Sequence, residues 1–84
     1  MMVRILYFAG LREAVGRSAE ELALAPKMET VADLRTHLLR RGGAWEALAQ
    51  GRSLRVAVNQ RMAEPHTAIR DGDEIAFFPP VTGG

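Results

Sequence analysis

One segment in the middle of this chain carries a complete set of helix signals, and it limits the folds that the chain can adopt. Thr30 is a good N-cap residue, and Asp33 follows three residues later, close to a capping box. Apolar residues then recur at helical spacing, at Val31, Leu34 and Leu38. Gly42-Gly43 stops the pattern. The segment predicts one main amphipathic helix, whose apolar side needs a second layer to pack against.

The segments around this helix alternate in the manner of β-strands. Apolar, β-branched and aromatic residues with a period of two predict strands at 3–8, 19–24, 54–58 and 73–78, with a brief pairing at Met62-Ala63. A loop at 10–17, with one helical turn, separates the first two strands, which we expect to form a hairpin. Trp45 and Leu48 predict one more short helix.

Together these elements predict an α+β domain. Its mixed sheet of four to five strands is covered on one face by the main helix. Placing the first and last strands side by side and parallel in the centre gives a β-grasp (ubiquitin-like) roll, with a short second helix and an extended C-terminal tail. The parallel pairing is inferred from the order of the elements, because periodicity does not show it.

Composition excludes several classes of function. The chain has 84 residues, of which 48% are hydrophobic and 25% charged, which is typical of one globular domain. It has no Cys, so disulfides, zinc thiolates and a cysteine nucleophile are excluded, and we expect a cytoplasmic protein. A net charge of +1 argues against nucleic-acid binding. The apolar start contains Arg4 and runs into Arg12-Glu13, so it predicts neither a signal peptide nor a membrane span.

The end of the chain is the most informative part for function. The last predicted strand stops at Pro79-Pro80, which cannot continue a sheet ladder, and Val81-Thr82 and Gly83-Gly84 follow. Glycine has no Cβ, so the last residues can enter a narrow channel. We expect a β-grasp domain at 1–78 and a flexible tail at 79–84 that offers the carboxylate of Gly84 to another protein. The alternative is an ordinary frayed terminus.

Several segments resemble the MoaD/ThiS family of ubiquitin-like sulfur carriers. The resemblance spans the whole chain, and its specific part is the run Asp71-Gly72-Asp73-Glu74-Ile75-Ala76-Phe77-Phe78-Pro79-Pro80-Val81-Thr82-Gly83-Gly84. The supporting segments are VRILYFA at 3–9, LRE at 11–13, TVADL at 30–34 and AVNQ at 57–60.

The resemblance implies a chemical cycle at Gly84. A ubiquitin-activating-type adenylyltransferase uses ATP to adenylate the Gly84 carboxylate, and sulfur from a persulfide donor protein displaces AMP to leave a thiocarboxylate. The large subunit of molybdopterin synthase then holds the carrier, which donates sulfur to cyclic pyranopterin monophosphate to make molybdopterin. The resemblance implies no catalytic side chain in this chain and no cofactor bound by itself.

Rival functions differ in what the tail does. Phe77-Phe78-Pro79-Pro80 and the extra length around Trp45 favour the molybdopterin branch of the family over the branch that serves thiamine thiazole synthesis. A third possibility is a covalent protein modifier whose tail is joined to lysines. A fourth is an inert β-grasp binding module, for which the tail has no role.

Four residues outside the tail are candidates for contact with partner enzymes. Strand alternation turns Phe8 and Phe78 away from the helix-covered face if Ile5 and Phe77 point inward. In the resembling family, these positions and Met62 form a hydrophobic docking face, and Arg12 matches an arginine at partner interfaces. The alternatives are an ordinary core position for Phe78 and a solvated charge for Arg12.

The remaining polar residues do not predict a metal site. Asp71, Asp73 and Glu74 are typical of a hydrogen-bonded turn, and His37 and His66 lack ligand spacing. Lys27 is the only lysine, and we interpret it as an ordinary surface residue.

Overall fold

The computed structural model of the protein describes residues 1–49 and 54–78. The predicted tail at 79–84 lies outside the described residues. The strands are β1 (Met2–Tyr7), β2 (Ala19–Ala23), β3 (Arg55–Val58), β4 (Arg61–Met62) and β5 (Glu74–Phe78). The helices are α1 (Ala9–Val15), α2 (Val31–Leu39) and a 3₁₀ helix (Gly43–Leu48).

The five strands form one mixed sheet in the order β2-β1-β5-β3-β4. The first and last strands, β1 and β5, pair in parallel at its centre, with Ile5 opposite Ile75 and Tyr7 opposite Phe77. The other three pairings are antiparallel. The predicted β-grasp arrangement is therefore confirmed.

Helix α2 begins where the sequence predicted, at a complete capping box. The Thr30 hydroxyl accepts a hydrogen bond from the Asp33 backbone N–H at 3.2 Å, and Asp33 Oδ2 accepts one from the Thr30 backbone N–H at 3.1 Å. A further bond from the Glu29 N–H, together with those from Thr30, lowers the pKa of the Asp33 carboxyl. These contacts satisfy N–H groups that the first helical turn leaves without partners.

The core lies between α2 and one face of the sheet. Side chains at alternate positions of β1 and β5 point into it and are at most 1% exposed: Val3, Ile5, Tyr7, Ile75 and Phe77. Leu34 and Leu38 of α2 and Leu48 of the 3₁₀ helix are fully buried against them. Burying each such side chain contributes about 1.5–3 kcal/mol. The strand faces are thus those that period-2 alternation predicted.

The connection between β1 and β2 is where the structure departs from the sequence prediction. The expected loop with a single helical turn is a helix of seven residues, α1, although the two strands it joins pair antiparallel as predicted. Leu11, 5% exposed, anchors α1 to the core, and Gly16 ends it at φ 76°. The N-cap residue, Phe8, makes no side-chain capping bond, so the usual start signal was missing from the sequence.

Two polar turns fix the ends of the strands. Asn59 and Gln60 both have positive φ, which suits the two-residue turn between β3 and β4. Asp71 Oδ1 accepts a bond from the Met2 N–H at 2.7 Å, and Asp73 Oδ2 accepts one from the Arg70 N–H at 2.8 Å. Asp71 and Asp73 therefore have the turn role that was predicted for them.

None of the helices in residues 1–49 and 54–78 is long and apolar enough to cross a membrane. Within the same residues, no group of three or more His, Asp or Glu side chains is placed to hold a metal ion.

The capping box makes a testable contribution to stability. We expect Thr30→Ala to lower the free energy of unfolding by about 1 kcal/mol, because the first turn loses its side-chain acceptor. Urea unfolding followed by circular dichroism measures this. Thr36→Ala, at an exposed position of the same helix, is the matched control and should change stability by less than about 0.5 kcal/mol. Equal effects of the two substitutions would contradict a capping role.

Candidate functional site

The point at which the chain leaves the sheet is fixed on both sides. We call Phe77-Phe78, the last two residues of β5, the tail root. Phe77 lies opposite Tyr7 of β1 and Phe78 lies opposite Arg55 of β3. The Phe8 backbone N–H also donates a hydrogen bond to the Phe77 carbonyl at 3.2 Å. Because β5 is a central strand, whatever follows Phe78 starts from a well-defined position.

An apolar row crosses the face of the sheet opposite α2, which we call the open face. Leu6, Ala76, Ala57 and Met62 lie opposite one another on four neighbouring strands. Phe8, in extended conformation directly after β1, and Phe78, the last residue of β5, lie two residues beyond Leu6 and Ala76, so they project from the same face. These six residues form the root patch. It joins the tail root to the surface of the β3–β4 hairpin.

The predicted partner-binding residues fall at or near this patch. Phe8 is 45% exposed and Met62 is 61% exposed, which is unusual for large apolar side chains. Phe78 is half-buried on the same face. Arg12 is exposed on α1, the helix that starts directly after Phe8. The structure thus brings Phe8, Phe78 and Met62 together on one face, with Arg12 close by in the chain.

The predicted reacting group is not among the described residues. Gly84 and the tail residues Pro79, Pro80, Val81, Thr82 and Gly83 all lie outside them. What the structure supplies is the root from which these residues extend and the surface around it.

A polar cluster lies behind the tail root, on the covered side of the sheet. The Tyr7 hydroxyl donates a hydrogen bond to Glu20 Oε1 at 2.7 Å. Arg41 binds both oxygens of the same carboxylate, at 2.7 and 3.1 Å, and Arg17 Nη1 donates to it at 3.3 Å. The Arg41 guanidinium also lies 4.5 Å from the centre of the Trp45 ring, within cation–π range. We call these five residues the Glu20 cluster.

The cluster changes the acidity of its members. Burial works against ionisation of Glu20, but the hydrogen bonds from Arg41 and Tyr7 and the charges of Arg41 and Arg17 lower the pKa of its carboxyl. Burial raises the pKa of the Tyr7 phenol, and the bond to Glu20 adds to that rise. The phenol therefore stays protonated and donates to a carboxylate that stays ionised.

Sequence reasoning missed the Glu20 cluster. Tyr7 and Arg41 lie 13 and 21 residues from Glu20, and Glu20 sits in a weak strand pattern with no motif around it. An acidic residue at an inward-facing strand position was the one available signal, because buried carboxylates need partners.

Comparison with known proteins agrees with this geometry. The strand order and single covering helix define a ubiquitin-like β-grasp domain. The ThiS family model matches residues 5–84, and the chain belongs to that family. A relative from Escherichia coli K12, the molybdopterin synthase sulfur carrier subunit, is 42% identical over 99% of this chain and 100% of its own length.

Solved structures show the same fold. A putative molybdopterin converting factor subunit 1 from Pyrococcus furiosus is 30% identical, with a TM-score of 0.78 over 96% of this chain and 99% of its own. Small archaeal modifier protein 1 from Haloferax volcanii is 27% identical, with a TM-score of 0.75 over 95% of this chain and 98% of its own.

The lowered pKa of Glu20 predicts how stability depends on pH. Because its folded-state pKa lies below the unfolded value of about 4.3, its ionised form stabilises the protein at neutral pH. That contribution is lost as the pH falls through the folded-state pKa. We expect Glu20→Gln to cost about 2 kcal/mol of unfolding free energy at pH 7, and the cost to shrink steadily as the pH falls below 4.

Urea unfolding of both proteins across this pH range measures the difference. Glu21→Gln is the control, since the Glu21 side chain is exposed on the same strand and makes no hydrogen bond or ion pair among the described residues. If Glu20→Gln lowers the free energy of unfolding by the same amount at every pH, Glu20 does not have a lowered pKa in the folded protein.

Proposed function

We propose that this chain is the sulfur carrier subunit of a molybdopterin synthase and that the Gly84 carboxylate is its reacting group. The observation that carries the proposal is a family match that runs through the central strand β5 to residue 84. The E. coli relative, aligned over its full length, has this role in its name. The tail root supports the proposal because Phe77 and Phe78, after which the tail begins, lie in the middle of the sheet.

The chemistry requires activation of the carboxylate by a partner. A carboxylate is a poor acyl donor, so an adenylating enzyme first uses ATP to form a mixed anhydride with AMP. The terminal sulfur of a persulfide attacks the acyl carbon, the C–S bond forms and AMP leaves. Cleavage of the remaining S–S bond by a thiol gives the thiocarboxylate. Covalent carriage thus divides one difficult transfer into easier steps.

The carrier's own contribution is positioning. No side chain in residues 1–49 and 54–78 is assigned a catalytic role here, and acid–base groups and the pterin site belong to the large subunit. The root patch supplies exposed apolar area for docking, with Phe8 and Met62 as the most exposed large side chains in it. Docking at that surface places the tail root next to the partner's active site, which lowers the entropic cost of transfer.

A covalent protein modifier is the second candidate. The fold similarity to small archaeal modifier protein 1 favours it. The two functions share the adenylation step and differ in the acceptor, which is sulfur for a carrier and a lysine amine for a modifier. Intact mass distinguishes these products.

The first test follows the mass of the chain itself. Incubation with an adenylating enzyme of this family, ATP and a persulfide donor should raise the intact mass by about 16 Da, the exchange of one oxygen for sulfur. A variant with one alanine appended after Gly84 should gain no mass, because the added side chain would block entry into the narrow channel expected in the adenylating enzyme. If the wild-type mass does not change with an adenylating enzyme that is active on its own carrier, the proposal is rejected. High-mass adducts on other proteins would favour the modifier.

The second test concerns docking through the root patch. Phe8→Ala should weaken binding to the large synthase subunit by about tenfold, because an exposed aromatic anchor is lost while the core is untouched. Met2→Ala is the matched control: Met2 is 43% exposed and lies on the same face at the start of β1, away from the tail root, whereas Phe8 directly follows the end of β1. Calorimetric titration measures both affinities. Equal losses of affinity in the two variants would show that Phe8 contributes no more to binding than Met2 does.

A further inference from the structure

The Glu20 cluster joins four separate parts of the chain behind the tail root. Glu20 belongs to β2 and Tyr7 to β1, while Arg41 follows α2 and Trp45 lies in the 3₁₀ helix. The Glu20 side chain is only 10% exposed, yet its carboxylate receives bonds from Tyr7, Arg41 and Arg17. These contacts converge on the end of the sheet from which β5 leaves.

The Tyr7 ring connects this cluster to the tail root. It lies parallel to the Phe77 ring, with centroids 6.4 Å apart and planes 14° apart. Its other neighbour, Trp45, meets it edge to face at 5.4 Å. The hydrogen bond from the Tyr7 hydroxyl to Glu20 is a third contact that orients the ring. The ring against which Phe77 packs is therefore held by polar and apolar contacts at once.

The Glu20 cluster stabilises the fold, but stability does not require charged groups at this position. Removing a carboxylate and a guanidinium from water costs free energy that their attraction often only just offsets, and an apolar set of similar volume is commonly as stable. A phenylalanine at position 7 would fill nearly the same space and has no hydroxyl that needs a hydrogen-bond partner. What the hydrogen bonds add is a defined orientation of the Tyr7 ring, and hence of its contact with Phe77.

We propose that Glu20 and Arg41 are positioning residues for sulfur transfer: through Tyr7 and Phe77 they hold the tail root in one orientation. This inference rests on the proposed carrier function. The two residues touch no reacting atom, and they lie on the face opposite the root patch. Their loss should therefore slow the reaction of a docked carrier without weakening docking.

The test compares Tyr7→Phe, Glu20→Gln and the double variant. Tyr7→Phe keeps the ring stack and removes only the hydroxyl that ties it to Glu20. The rate of thiocarboxylate formation is measured by intact mass at several concentrations of carrier, below the unfolding temperature of every variant. We expect kcat to fall by about tenfold in each single variant, with KM unchanged, since small misplacement of a reacting group is costly. The double variant should be no slower than either, because both act through one contact.

Glu21→Gln is the control and should keep the wild-type kcat. A kcat within about twofold of wild type in Tyr7→Phe and Glu20→Gln would overturn the inference and leave the clustered contacts a purely structural role. A raised KM with normal kcat would overturn it too, as would losses that multiply in the double variant. A wild-type chain that gains no sulfur rejects the carrier function itself, so the two failures are distinguishable.

Discussion

The parallel pairing of β1 and β5 is the interaction on which the rest of this structure depends. Parallel neighbours cannot be joined by a tight turn, so the chain between them has to cross over the sheet. That crossover contains α2, which covers one face, and β3, which returns beside β5. Because the two strands run in the same direction, β1 and β5 finish at the same end of the sheet, at Tyr7 and Phe78. The start of α1, the root patch and the exit of the chain are consequently neighbours.

The two faces of the central strands differ in what they contact. Inward residues such as Ile5 and Ile75 are fully buried and hold the fold together. Outward residues of the same strands, Leu6 and Ala76 among them, form the apolar row of the open face. A substitution on the open face can alter docking without disturbing the core, and one on the covered face alters the fold first. The period of two in the sequence is what keeps these roles apart.

How far the sequence predicts this molecule depends on how local each signal is. The start of α2 is encoded by Thr30 and Asp33, three residues apart, and it was predicted correctly. The inward positions of β1 and β5 follow from alternation and were also predicted. Helix α1 was predicted only as one helical turn within a loop, because its start has no side-chain cap and its anchor is the long-range burial of Leu11. The Glu20 cluster was missed for a related reason, since its residues meet only once the sheet and α2 are assembled.

In the proposed chemistry the reacting group is the Gly84 carboxylate, and the folded body contributes the position from which it is presented. The chain contains no cysteine that could compete for sulfur. The phenol of Tyr7, which packs against Phe77 of the tail root, is kept protonated by burial and by its bond to Glu20. A partner that binds the root patch needs to recognise only a surface, because the position of Phe78 relative to that surface is set by the sheet. In the proposed cycle, the adenylating enzyme and the large synthase subunit would then bind the same surface in the same geometry. In the proposed function, the fixed position of the tail root lowers the entropic cost of placing the carboxylate, and Gly83 and Gly84 add no side chain that would block a narrow channel.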